Sequence, residues 1–200
     1  MANSLKLLLI FVVGVFVGIL CLCPPFLNIE KISEYLLYLL VFGIGITISR
    51  SEGILKIIKT HHLKLFLLPL MITLGSLLGS VVMGLFYSDI SLKHSLGLGA
   101  GLGYYSLSSL MISQYGFKEI SAIALISNIV REISTLILAP VMIKYFGRFS
   151  PIASAGATSM DTTLAVIIKY TNKENAVISM FNGVTLSIIV PLLITFIYEF

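Results

Sequence analysis

Runs of Leu, Ile, Val and Phe alternate with short polar punctuation along the whole chain of 200 residues. The apolar runs break at charges or at Pro and Gly, which places spans at about 5–22, 34–49, 64–87, 94–114, 119–145, 152–170 and 175–198. Each is near the roughly 20 residues that a helix needs to cross a bilayer core. The connections are short, and no linker or low-complexity stretch divides the chain. The pattern predicts an all-α polytopic membrane protein of about seven spans, folded as a single transmembrane domain over residues 1–200.

Two of these spans are not ordinary apolar helices. The fourth reads "LGLGAGLGYYSLSS", with Gly97, Gly99, Gly101 and Gly103 alternating before a run of tyrosines and serines. Each glycine costs about 1 kcal/mol relative to Ala inside a helix. The sixth reads "SAGATSMDTT", again small residues and then hydroxyls, with Asp161 among them. Small residues alone fit tight helix packing. Small residues followed by hydroxyls and a charge predict helices that break inside the membrane, where unwound backbone must be buried or line a cavity. The segments "GYYSLSSL" (103–110) and "ATSMDTTL" (157–164) echo one another. Each is followed by a span carrying an asparagine, Asn128 or Asn182, at the same offset of 54 residues. Paired interruptions in matching positions point to a transporter's binding site, here in a core region of about 94–198.

Composition agrees with this pattern and narrows the classes. Hydrophobic residues make up 58% and charged residues 11%, against about a quarter charged in soluble domains. The mean hydropathy is +1.05. The net charge of +4 is therefore read through its distribution between loops and not as a nucleic-acid signal. The segment "RSEGILKIIKTHHLK" holds Arg50, Lys56, Lys59 and Lys64, which predicts that loop 50–64 is cytoplasmic, with the N-terminus inside and the C-terminus outside. His61 and His62 in that loop read as solvated. The first span resembles a signal peptide, but "CLCPP" is no small-residue cleavage site, so it reads as a retained span. Cys21 and Cys23, without other ligands nearby, make a poor metal site, and no metal or cofactor is expected.

The chemistry-bearing residues sit in the fifth and sixth spans. In "ISNIVREIST", Asn128, Arg131, Glu132 and Thr135 recur at helical spacing and share one face. A charged side chain at a bilayer centre costs about 2.5–3.5 kcal/mol on the insertion scale. Arg131, Glu132 and Asp161 must therefore face partners or water. Arg131 reads either as a substrate contact or as a structural cation paired with Asp161 or Glu132. The carboxylates of Glu132 and Asp161 read as an ion or proton pathway. No hydrolase or metalloprotease motif is present, no second mid-span aspartate completes an aspartyl dyad, and "GLGAGLG" lacks the βαβ context of a dinucleotide site. An enzyme is not expected.

The segments "GLGYYSLSS", "ISNIVRE" and "AGATSMDTTL", in that order and spacing, closely resemble the lysine exporter (LysO) family. The segment "SEYLLYLLVFGIGI" resembles that family's helix before its basic loop. The resemblance covers essentially the whole chain. It implies an inner-membrane exporter of L-lysine and of lysine analogues, with distant kinship to cation/proton antiporter and bile-acid symporter folds. The family's acidic motif residues map onto Glu132 and Asp161. Full-length members carry a further N-terminal helical region, so the resemblance implies a homo-oligomer or a small membrane partner that supplies those helices. The expected partners are L-lysine, protons and the lipid bilayer. The expected substrate and proton site comprises Glu132, Asp161, Arg131, Asn128, Ser159, Thr158, Thr162, Ser106, Tyr105 and Asn182, with helix ends at the breaks facing the substrate carboxylate.

Overall fold

The computed structural model describes residues 64–87, 90–171 and 173–200, together with isolated helical positions at Val13, Phe16, Val17, Lys31, Ile32, Tyr35, Leu39 and Phe42. The predicted spans 5–22 and 34–49 as wholes, loop residues 50–63, Cys21, Cys23, His61 and His62 lie outside the described residues. The chain divides into two compact units, Met1–Leu36 and Leu37–Phe200. In the first, the six described positions from Val13 to Tyr35 are helical. The second carries every element from Lys64 onward.

Its described elements are helices: α1 (Lys64–Gly84), α2 (Leu92–Gly99), α3 (Tyr105–Gln114), α4 (Lys118–Phe146), α5 (Ser150–Ala155), a 3-10 segment (Gly156–Met160), α6 (Leu164–Tyr170) and α7 (Lys173–Glu199). Among the described residues, three stretches, Leu65–Gly84, Lys118–Phe146 and Asn175–Glu199, are long and apolar enough to cross a membrane. Half of the most apolar window of α7 is buried, against 22% for α1 and α4. So α7 is the central post, and the other two long helices expose broad apolar faces. Leu186, Val190 and Ile194 of α7 form the main core with Ala100, Leu102, Leu107 and Ile112.

The predicted fourth and sixth spans are interrupted where expected, but neither runs through. The ring of His94, in the first turn of α2, lies 4.5 Å from that of Phe117, just beyond α3. Both also contact Tyr198 at the end of α7. Segment 92–117 therefore enters and leaves at one end, as a helical hairpin (hairpin 1, α2–α3). In the second segment, Ile152 of α5 and Ile167 of α6 share one buried cluster, flanked by Leu68 near the start of α1 and Ile178 near the start of α7. Segment 150–171 is a second hairpin (hairpin 2, α5–α6) that enters from the opposite end. The physical reason is length. Arms of eight and ten residues reach only about 12–15 Å, enough for half of a hydrocarbon core of about 30 Å.

Each hairpin is followed by a long helix, α4 or α7, and the two run antiparallel. The start of α4 is tied to hairpin 1 by the Ser121 hydroxyl, which donates to Ser109 O at 2.7 Å. The end of α7 reaches the same place. The 54-residue echo in the sequence is thus a pair of inverted hairpin-plus-helix units.

Candidate substrate site at the hairpin tips

The site begins with the contact between the two tips. Ala157 N–H donates to Leu102 O at 2.9 Å, joining hairpin 2 to hairpin 1 through their backbones. Gly103 and Gly156 both adopt left-handed φ, +92° and +65°. A Cβ at Gly103 would stand 2.5 Å from Ala155 O, and one at Gly156 would collide with Leu102 O. Only glycine allows both the conformation and the approach. Leu102 itself holds φ +46° while fully buried, an uncommon conformation for a branched residue that the tip contact imposes.

Two asparagines satisfy the remaining tip backbone. Asn128 on α4 accepts from Gly103 N–H through Oδ1 at 2.8 Å and donates through Nδ2 to Ala124 O at 2.8 Å. Asn182 on α7 donates through Nδ2 to Gly156 O at 3.2 Å and to Ser159 Oγ at 3.1 Å. Both are buried. Ser159 and Ser179 lock hairpin 2 to α7, each hydroxyl donating to the other residue's carbonyl, at 2.8 and 2.7 Å. Thr158 donates back to Ala155 O at 3.0 Å.

Arg131 does not form the ion pair the sequence suggested. Its Nε donates to Ser154 O at 2.7 Å and its Nη2 to Ala153 O at 3.0 Å, both in the last turn of α5. Its Nη1 meets Ser76 Oγ at 3.4 Å, and that hydroxyl donates to Gly99 O at the end of α2 at 2.9 Å. The guanidinium thus sits where the carbonyl ends of both entering arms converge. Cations are favoured there because the last carbonyls of a helix have no partners of their own.

Glu132 and Asp161 are left to the open side of the tips. Asp161 and Thr162 are exposed, while Glu132, Tyr104, Tyr105 and Ser106 are partly so. The Asp161 carboxylate accepts from Thr162 N–H at 2.5 Å and from Thr162 Oγ1 at 3.3 Å. Glu132 faces the Thr162 side chain and lies within Coulombic reach of Asp161. The Tyr105 hydroxyl lies within such reach of both carboxylates, and that of Tyr104 within reach of Asp161. Among the described residues no cation pairs with either carboxylate. The N-terminus of α3, which opens at Tyr105, carries no side-chain cap, so a positive helix end lies at the tip of hairpin 1.

The ten residues expected from the sequence therefore separate into two sets. Tyr105, Ser106, Glu132, Asp161 and Thr162 border the open face. Asn128, Arg131, Thr158, Ser159 and Asn182 are turned inward and hydrogen-bonded to the tips. Ser76, Ser154 and Ser179 belong to the same framework and lie outside those ten. Ser179 carried a readable signal, since it shares a polar stripe on α7 with Asn175 and Asn182 at helical spacing.

A family profile described as lysine exporter LysO matches residues 8–198. The chain belongs to the lysine exporter LysO family. It is 30% identical over 195 residues to the protein of Escherichia coli strain K12 described as "Lysine exporter LysO", covering 97% of this chain and 64% of that protein. The chain thus spans a little under two thirds of the length of that relative. It is 32% identical over 196 residues to the "Putative lysine exporter" of Haemophilus influenzae, covering 98% of each. No solved structure matches this LysO-family chain.

Proposed function

We propose that the chain exports L-lysine across the cell membrane in exchange for protons. Family membership supports lysine as the substrate. The observation that carries the reading is that Glu132 and Asp161 share one open face while Arg131 is occupied at the ends of α2 and α5. A site with two acidic groups and no competing cation suits a substrate with two ammonium groups. The uncapped N-terminus of α3 suits its single carboxylate. Tyr105, Ser106 and Thr162 complete the shell.

Proton exchange follows from charge. Lysine leaves with net charge +1 against an inside-negative potential, a penalty of about 2.3 kcal/mol per 100 mV. Returning one proton for each lysine cancels it, and a carboxylate that holds a proton or an ammonium in turn performs the exchange. Proteoliposomes loaded with labelled lysine and a pH-sensitive dye test this. Lysine efflux with stoichiometric proton entry is expected, and efflux without proton movement removes the coupling. The same reading includes an assembly, either a second copy or a small membrane partner, which co-purification from membranes tests.

The hairpins also bear on orientation. Among the described residues, they place Lys64, Lys144, Arg148, Lys169 and Lys173 at the end where α1 begins, next to the basic loop in sequence, and Lys93 and Lys118 at the opposite end. Through-going spans would instead have put Lys144 and Arg148 opposite and Lys118 with the basic loop. The hairpin topology gives the stronger bias, which supports a cytoplasmic basic loop and hairpin 2 entering from the cytoplasm.

A further inference from the structure

Asn182 Oδ1 is buried and finds no donor among the described residues. Its repeat mate, Asn128, uses the matching atom to accept from Gly103 N–H. At the 54-residue offset, Gly103 corresponds to Ala157, so Asn182 Oδ1 is the seat that Ala157 N–H would take if the two units behaved alike. Ala157 N–H is instead spent on Leu102 O. The amide orientations are fixed by chemistry: Gly103 N–H can only donate, and Gly156 O and Ala124 O can only accept.

We propose that Asn128 and Asn182 are positioning residues that hold the hairpin tips in either of two hydrogen-bond registers, related by exchange of the inverted units. In the observed register, Ala157 N–H bonds Leu102 O, Asn128 accepts from Gly103, and Asn182 donates to Gly156. In the exchanged register, Gly103 N–H bonds Gly156 O, Asn182 Oδ1 accepts from Ala157, and Asn128 Nδ2 donates to Leu102 O. The three tip bonds are matched in the two registers, and the observed one adds only the Asn182 Nδ2–Ser159 Oγ bond, so hydrogen bonding favours it by a small margin. An asparagine is suited to the task because one short side chain offers both a donor and an acceptor. Glycine at 103 and 156 leaves room for the tips to slide past one another. Alternating access in inverted-repeat transporters rocks one unit against the other around a fixed site, and a change of register at the tips accompanies such a movement. This inference rests on the transport reading for its purpose, but its test needs no substrate.

The test uses the full chain with Cys21→Ser and Cys23→Ser and a reporter, Ser106→Cys, labelled in sealed, oriented vesicles by an impermeant maleimide from one side. Asp in place of Asn keeps the acceptor and removes the donor. Asn128→Asp keeps the observed register and disables the exchanged one, while Asn182→Asp does the reverse. The labelled fraction is expected to move in opposite directions in the two variants, relative to the parent. Ser159→Ala removes one acceptor of Asn182 Nδ2 with little change in volume, and it should move labelling in the same direction as Asn182→Asp. Shifts in the same direction in both Asp variants, or none in either, overturn the two-register assignment. So does a Ser159→Ala shift that follows Asn128→Asp. If labelling splits as expected but the unsubstituted chain does not move lysine in proteoliposomes, the registers stand and the substrate assignment falls.

Discussion

The two hairpins meet at the same place but are built differently. Hairpin 1 turns in five residues, Ala100–Tyr104, with glycines at 101 and 103. Its tip closes on itself only through a turn bond from Tyr104 N–H to Gly101 O at 2.7 Å and a weaker one from Gly101 N–H to Leu98 O at 3.4 Å, and neighbours hold the rest, with Gly103 held by Asn128 and Gly99 O by Ser76. Hairpin 2 turns in eight residues, Gly156–Thr163, and adds an internal network to its ties to α7. There, Thr158 O accepts from Asp161 N–H, Thr163 N–H and Thr163 Oγ1. The difference teaches a division of labour. A tip fastened both by its own network and by α7 can present a carboxylate outward on a fixed backbone, and Asp161 is on hairpin 2. A tip shaped by its surroundings supplies fit, aromatic rings and a helix end.

The sharpest way to break this comparison is to remove Arg131, which anchors hairpin 2 directly and hairpin 1 only through Ser76. Arg131→Met leaves two carbonyls without donors and should destabilise by about 3–5 kcal/mol, seen as a large fall in melting temperature in detergent. Ser76→Ala should cost only about 1 kcal/mol. Equal losses would mean that the two hairpins depend on the guanidinium alike.

Next comes transport. Asp161→Asn should reduce lysine efflux by about 100-fold or more, equivalent to about 2.7 kcal/mol of lost stabilisation, with an unchanged melting temperature. Tyr105→Phe should cost only severalfold. If Tyr105→Phe is as damaging, the chemistry does not belong to hairpin 2. A smaller effect tests the crossing itself. Gly103→Ala and Gly156→Ala should each destabilise by about 2–3 kcal/mol, because positive φ and a steric clash act together. Tolerance of either by thermal unfolding would show a looser contact. Smallest is the pair of serines. Ser159→Ala should cost about 1–2 kcal/mol, as its buried partners on α7 lose a bond, whereas Ser106→Ala on the open face should stay within about 0.5 kcal/mol.

Much of this was legible along the chain. The alternating glycines of 97–103 and the small-then-hydroxyl run of 154–163 marked both interruptions, since neither sequence sustains a membrane helix. The 54-residue echo marked the repeat, and Asn128 and Asn182 stood out as polar groups in apolar helices. The direction of the chain after each interruption was not legible. Hydropathy counts how many apolar residues a segment contains, and a doubled-back hairpin has the same count as a broken span. The partners of Arg131 were hidden as well. Carbonyl oxygens at helix ends accept hydrogen bonds whatever the residue, so Ala153 and Ser154 carry no mark of that role, while nearby acids invite an ion pair that does not form.

The sequence by itself determined the membrane character, the two weak points and the pool of polar residues, because burial in lipid punishes every charge and every unpaired backbone group wherever it falls. Only the tertiary structure decided which of those residues face a substrate and which are spent on the tips. That choice depends on how the two hairpins, entering from opposite ends, converge on one point. There Arg131 is drawn to helix ends, and Glu132 and Asp161 are left open.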